Sequence, residues 1–161
     1  MKKIKNTEEW FKLDNASKIY PSSGTARWNA VYRVCAVMKE RVDREVLQQA
    51  LDVVIERFPS YNVILRRGFF WYFLQGATLK PVVTREKDYP CRKFDIMNRE
   101  PLFRVMYSGN RIMAEFSHCL SDGNASTNFL NTLILKYLHL LGKKVDRGPL
   151  LHYHDAPKEE E

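Results

Sequence analysis

The chain has 161 residues, 45% of them apolar, enough for a single domain with a buried core. Its 26 basic and 19 acidic residues leave a net charge of +7. The cations are scattered rather than striped, which argues against a nucleic-acid surface but suits anionic substrates. No apolar run reaches the roughly 20 residues of a membrane span, and MKKIKNTEEW has no apolar stretch after its lysines. Cys35, Cys91 and Cys119 lie far apart and form no zinc or disulfide pattern. The expectation is a cytoplasmic protein with reduced thiols, no bound metal and no membrane span.

Thr7-Glu8-Glu9 reads as a helix start, running as a short turn through Leu13. A turn-rich stretch, Asp14 to Thr25, follows. From Trp28 to Met38, the residues Trp28, Ala30, Tyr32, Val34, Ala36 and Met38 alternate onto one face of a strand. Asp43 is a good N-cap for an amphipathic helix carrying Val46, Leu47, Ala50, Leu51, Val54, Ile55 and Phe58 on one side, stopped by Pro59. Asn62–Leu65 and Phe69–Leu74 read as a hairpin joined near Gly68. Its aromatic run, Phe69-Phe70-Trp71-Tyr72-Phe73, suits a core on both faces of a sheet better than an exposed patch.

Pro81 to Arg85 reads as another short strand, and Asp88 to Arg99 as a polar loop. Leu102–Tyr107 and Ile112–Phe116 are two strands joined by a turn at Ser108-Gly109-Asn110. A second helix begins near Gly123–Ala125, buries Phe129, Leu130, Leu133, Ile134, Tyr137, Leu138 and Leu141, and ends at Gly142. Residues 1–142 therefore form one domain, and residues 143–161 read as a linker or solvated tail. The fold class is an α/β (α+β) sandwich: a mixed, largely antiparallel sheet covered by two main helices.

One segment carries chemistry: Phe116-Ser117-His118-Cys119-Leu120-Ser121-Asp122-Gly123-Asn124. A histidine at a strand end can project a ring nitrogen into a cleft, and its ordinary pKa near 6.5 suits a general base. Asp122, at the turn into a helix, can cap that helix or bind an arginine. Gly123 permits positive φ or close approach of a ligand. The same residues also suit a tight Asp-Gly turn beside a structural histidine. Ser121 and Asn124 read as capping residues. Cys119 is too close in sequence to His118 for an ordinary Cys–His nucleophile. His139 reads as a structural histidine, and His152 with His154 lacks a third metal ligand.

This His-x-x-x-Asp-Gly resembles the signature of the chloramphenicol acetyltransferase-like superfamily, which includes the condensation domains of peptide synthetases and the alcohol acetyltransferases. Three further blocks share the likeness, in the right order. Val42 to Leu51, continuing to Glu56-Arg57-Phe58-Pro59, is similar to the family's first helix and its ending. Pro101-Leu102-Phe103-Arg104-Val105 resembles the strand upstream of the motif, and Asn128 to Tyr137 the helix after it. The nearest group is the alcohol acetyltransferase-like members.

The resemblance implies that His118 is the catalytic base that deprotonates the acceptor as it attacks an acyl thioester. It implies acetyl-CoA or another acyl-CoA as co-substrate, with no permanently bound cofactor, and a small-molecule acceptor. Asp122 would be structural and paired with an arginine, for which Arg27, Arg33 and Arg104 are candidates. Gly123 would leave room for substrate. Ser117 stands where many members have a second histidine. Family members are about twice this length and contribute a second domain to the cleft. The resemblance therefore implies an N-terminal half, inactive alone, that needs its C-terminal half or associates with itself. A non-catalytic binding module is the other reading.

Overall fold

The computed structural model describes residues 10–13, 30–78 and 80–144. In chain order the elements are β1 (Trp10–Lys12), β2 (Val31–Val37), α1 (Arg44–Val54), a 3-10 turn (Pro59–Tyr61), β3 (Val63–Arg67), β4 (Tyr72–Gly76), β5 (Thr84–Arg85), β6 (Phe103–Ser108), β7 (Arg111–Ser117) and α2 (Gly123–Leu140). The expected α/β sandwich is present, with two helices and with strands divided between two sheets. One sheet has the order β2-β7-β6-β5, antiparallel except for the parallel β5–β6 pair; the other has the order β1-β4-β3 and is antiparallel.

Local chemistry sets the elements. Asp43 caps α1 through its Oδ1, which accepts from the Glu45 and Val46 N–H groups at 2.9 and 3.1 Å. The helix ends at Val54, four residues short of the Phe58 expected from periodicity, and Pro59 opens the following 3-10 turn. Gly109 adopts φ +58° in the β6–β7 turn, where a side chain would be strained. Gly142, at φ +71°, closes α2.

The alternation holds from Tyr32 onward, since Tyr32, Val34, Ala36 and Met38 all pack on the main core; Trp28 lies outside the described residues. That core lies between the four-stranded sheet and the two helices. Phe129 of α2 meets Phe103 and Phe116 edge-on, with ring centroids 5.6 Å apart in each case. Burying each ring contributes about 1.5–3 kcal/mol. The helices are tied together by the Asp43 N–H, which donates to the Tyr137 hydroxyl at 2.9 Å. A smaller cluster of Leu13, Leu65, Leu102 and Cys119 joins the three-stranded sheet to the rest.

Two sequence expectations are corrected. Trp10–Lys12 is not helical; it pairs with Phe73–Gln75 of β4 as an edge strand. The aromatic run is not core throughout. Tyr72 and Phe73 are half-buried, but Phe69, Phe70 and Trp71 are 99%, 86% and 62% exposed, because they form the hairpin tip rather than strand. Among the described residues, no helix is long and apolar enough to cross a membrane, and no three His, Cys, Asp or Glu residues are grouped to hold a metal.

Candidate active site

His118 follows the last residue of β7. Its N–H donates to the Ala30 carbonyl at 2.8 Å, which extends the β2–β7 ladder by one bond. The even-numbered residues of β7, Ile112, Ala114 and Phe116, face the helices, and His118 continues that row just beyond the strand. The Tyr32 ring of β2 lies against the imidazole, with centroids 4.2 Å apart and 32° between planes. The side chain is half-buried.

The loop after His118 is short and held at both ends. Leu120 N–H donates to the Ser117 carbonyl at 2.8 Å, and Ser117 N–H to the Leu102 carbonyl at 2.9 Å. Cys119 turns into the smaller core, while Leu120 packs against both cores. Cys119 is therefore a buried anchor, in line with its reading as a small apolar residue.

Asp122 is the N-cap of α2, and its Oδ1 accepts from the Ala125 N–H at 2.8 Å. Gly123 begins the helix and faces open space. The capping role read for Ser121 and Asn124 thus falls to Asp122.

Ser121 instead joins a buried hydroxyl network. The Ser121 Oγ lies 2.9 Å from both the Tyr61 hydroxyl and the Ser126 Oγ. The Tyr32 hydroxyl closes the network, contacting the Ser126 Oγ and donating to the Asp122 carbonyl at 2.7 Å. Ser126 is completely buried. Burial pushes the Tyr61 phenol up to about 12 and raises that of Tyr32. Sequence reasoning assigned Tyr32 to the core face but missed these hydroxyl partners, because they lie up to 94 residues apart.

Arg33 and Arg104 are not drawn to Asp122. Arg33, Glu115 and Arg104 form one cross-strand row over β2, β7 and β6. That row is on the sheet face opposite Tyr32 and Phe116, away from the helix that Asp122 caps. Glu115, 1% exposed, accepts from the Arg33 Nη2 at 2.7 Å and pairs with the Arg104 Nε at 2.8 Å. The Cys91 N–H donates to the same carboxylate at 2.7 Å, which pins the 88–100 loop over this face. Arg104 also lies over the Phe94 ring, 4.3 Å from its centroid. Arg27 is outside the described residues, as are His152 and His154.

The arrangement can present one imidazole at the end of a central strand, a short loop before the N-terminus of a helix.

No protein-family model matches the sequence, and no curated protein matches it. Solved structures do share the fold. The starter condensation domain of rhizomide synthetase RzmA aligns with a TM-score of 0.63 at 13% identity, over 88% of this chain and 40% of that one. Polyketide synthase associated protein 5 from Mycobacterium tuberculosis aligns at 0.58 and 16%, over 88% and 36%. SgcC5 from Streptomyces globisporus aligns at 0.57 and 17%, over 78% and 33%. An RzmA mutant of the same domain, solved in complex with C8-CoA, aligns at 0.64 and 12%, over 86% and 38%. This chain spans well under half the length of these structures, and over that span it shares their fold.

Proposed function

We propose that this chain is the histidine-bearing N-terminal half of an acyl-CoA-dependent acyltransferase, transferring an acetyl or longer acyl group to an alcohol. The observation that carries the proposal is His118, held at the end of central strand β7 by its own backbone bond and by the Tyr32 ring. The C8-CoA bound by one structural neighbour supports a CoA thioester as donor.

In this reading a His118 ring nitrogen takes the proton of the acceptor hydroxyl as that oxygen attacks the thioester carbonyl. The tetrahedral intermediate then collapses and expels the thiolate, which recovers the proton from the imidazolium. Asp122 acts at a distance, by capping α2 and so holding the loop that follows His118. Gly123, open on its Cβ side, leaves space for substrate. The reaction belongs in the cytoplasm, where free thiols persist. A condensation-type reaction, with the thioester on a carrier protein, is the variant favoured by the kind of proteins that share the fold.

In this reading the C-terminal half supplies the facing wall of the cleft and the donors that stabilise an oxyanion. The purified chain should therefore release little or no thiol from an acyl-CoA in the presence of alcohols. Joined to its C-terminal half, it should release thiol in step with ester. A robust rate from the chain alone overturns the half-enzyme reading. A tight homodimer that covers His118 favours the non-catalytic module.

A further inference from the structure

The tip of the β3–β4 hairpin is built to project apolar rings. The Gly68 N–H closes it by donating to the Trp71 carbonyl at 2.7 Å, and a Cβ on Gly68 would meet that same oxygen at 3.0 Å. Phe69, Phe70 and Trp71 therefore stand outward. The three rings contact one another in series, with centroids 5.9 and 6.3 Å apart, and form a single convex wedge. They are 99%, 86% and 62% exposed, and they are contiguous rather than scattered singly.

The charge around the wedge has one sign. Arg66 and Arg67 end β3 immediately before the tip, and Lys12 shares a cross-strand row with Phe73 and Arg66. No Asp or Glu occurs between Glu56 and Glu86, whereas Arg57, Arg66, Arg67, Lys80 and Arg85 fall in that interval. Trp10, 66% exposed on the outer strand β1, adds a further amphipathic ring to the same small sheet.

We propose that this hairpin is a membrane-interface anchor that inserts Phe69, Phe70 and Trp71 among the headgroups of an anionic phospholipid bilayer. Three observations favour a bilayer over a protein. The wedge is convex, so it fits a deformable phase without a matching pocket. Trp and Phe are the rings that settle at the boundary between acyl chains and headgroups. Arg66, Arg67 and Lys12 flank the base of the wedge, and each adds to attraction for an anionic surface. The inference is independent of the acyl-transfer reading, since no atom of the His118 site takes part.

The test is co-sedimentation of the full 161-residue chain with vesicles of phosphatidylcholine alone and of phosphatidylcholine mixed with phosphatidylglycerol. Binding is expected for the mixed vesicles, with a blue shift of tryptophan emission, and should weaken at high salt. Replacing Phe69, Phe70 and Trp71 together by Ser should abolish it. R66E with R67E should lower the partition coefficient about tenfold or more. Circular dichroism checks that both variants keep the fold; Phe69, Phe70, Trp71 and Arg67 are exposed and Arg66 is half-buried. The proposal is overturned if the mixed vesicles do not bind the chain. It is equally overturned if the Ser variant binds as well as the parent, which would mark simple adsorption of a basic protein. A dimer that the Ser variant loses, with no vesicle binding by the parent, would assign the wedge to a second copy instead.

Discussion

The Tyr32 ring rests against the His118 imidazole at 4.2 Å, and its hydroxyl reaches the Asp122 carbonyl at 2.7 Å. One residue therefore contacts both the imidazole and the start of the helix that follows it. The two roles separate by substitution. Tyr32→Phe keeps the ring and should cost about 1–2 kcal/mol of stability through the lost hydroxyl. In the complete enzyme it should leave turnover within about tenfold, whereas Tyr32→Ala, which frees the imidazole to move, should cost about 10²-fold. Thermal unfolding and turnover of both variants check this; equal rates for the two would remove the ring from a positioning role.

Asp122 acts as a helix cap rather than as an arginine's partner in the described residues. Asp122→Ala should lower stability by about 1 kcal/mol, while Asp122→Asn, which also caps well, should be nearly neutral. An ion pair would give a different pattern, because Asn would fail almost as badly as Ala. Urea denaturation of the two variants distinguishes these outcomes.

Glu115 neutralises two guanidinium groups inside the sheet's second face. Glu115→Ala leaves Arg33 and Arg104 with Glu86 and Glu100 as their acidic partners among the described residues. The expected loss is about 3–5 kcal/mol, the usual effect of breaking a buried ion pair. Glu115→Gln keeps an oxygen acceptor for Arg33 and the Cys91 N–H and should lose less. Equilibrium unfolding measures both.

The buried Tyr61 phenol sets an alkaline limit. Its folded-state pKa, raised by burial to about 12, lies above the ordinary 10.0. Between those values the unfolded chain has released the proton and the folded chain retains it. Stability from this group is thus fully present below pH 10 and falls as pH rises toward 12. Tyr61→Phe should flatten that fall, at the cost of leaving the Ser121 hydroxyl one partner fewer. Denaturant midpoints measured across the alkaline range check the sign.

Much of this fold was legible in the sequence, for identifiable reasons. Both long helices were readable because Asp43 and Asp122 announce their starts and apolar spacing marks their buried sides. β2 was readable because its alternation runs unbroken from Tyr32 to Met38. The placement of His118 at a strand end followed from the same patterns. Other features depend on pairing that local periodicity does not encode. Trp10–Lys12 is a strand only because β4 lies beside it, and the aromatic run divides between tip and strand only because Gly68 places the turn. The arginine row was hidden for the same reason: Arg33 and Arg104 meet Glu115 through the register of three strands. The hydroxyl network joins residues 60 and more positions apart, which no spacing rule captures.

The most direct measurement is the rate of thioester-dependent acyl transfer by the complete protein with His118 and with His118→Ala. The account predicts a fall in turnover of about 10²–10⁴, the usual contribution of a general base, with acyl-CoA affinity and thermal stability little changed. An unchanged rate in a folded His118→Ala protein would contradict it.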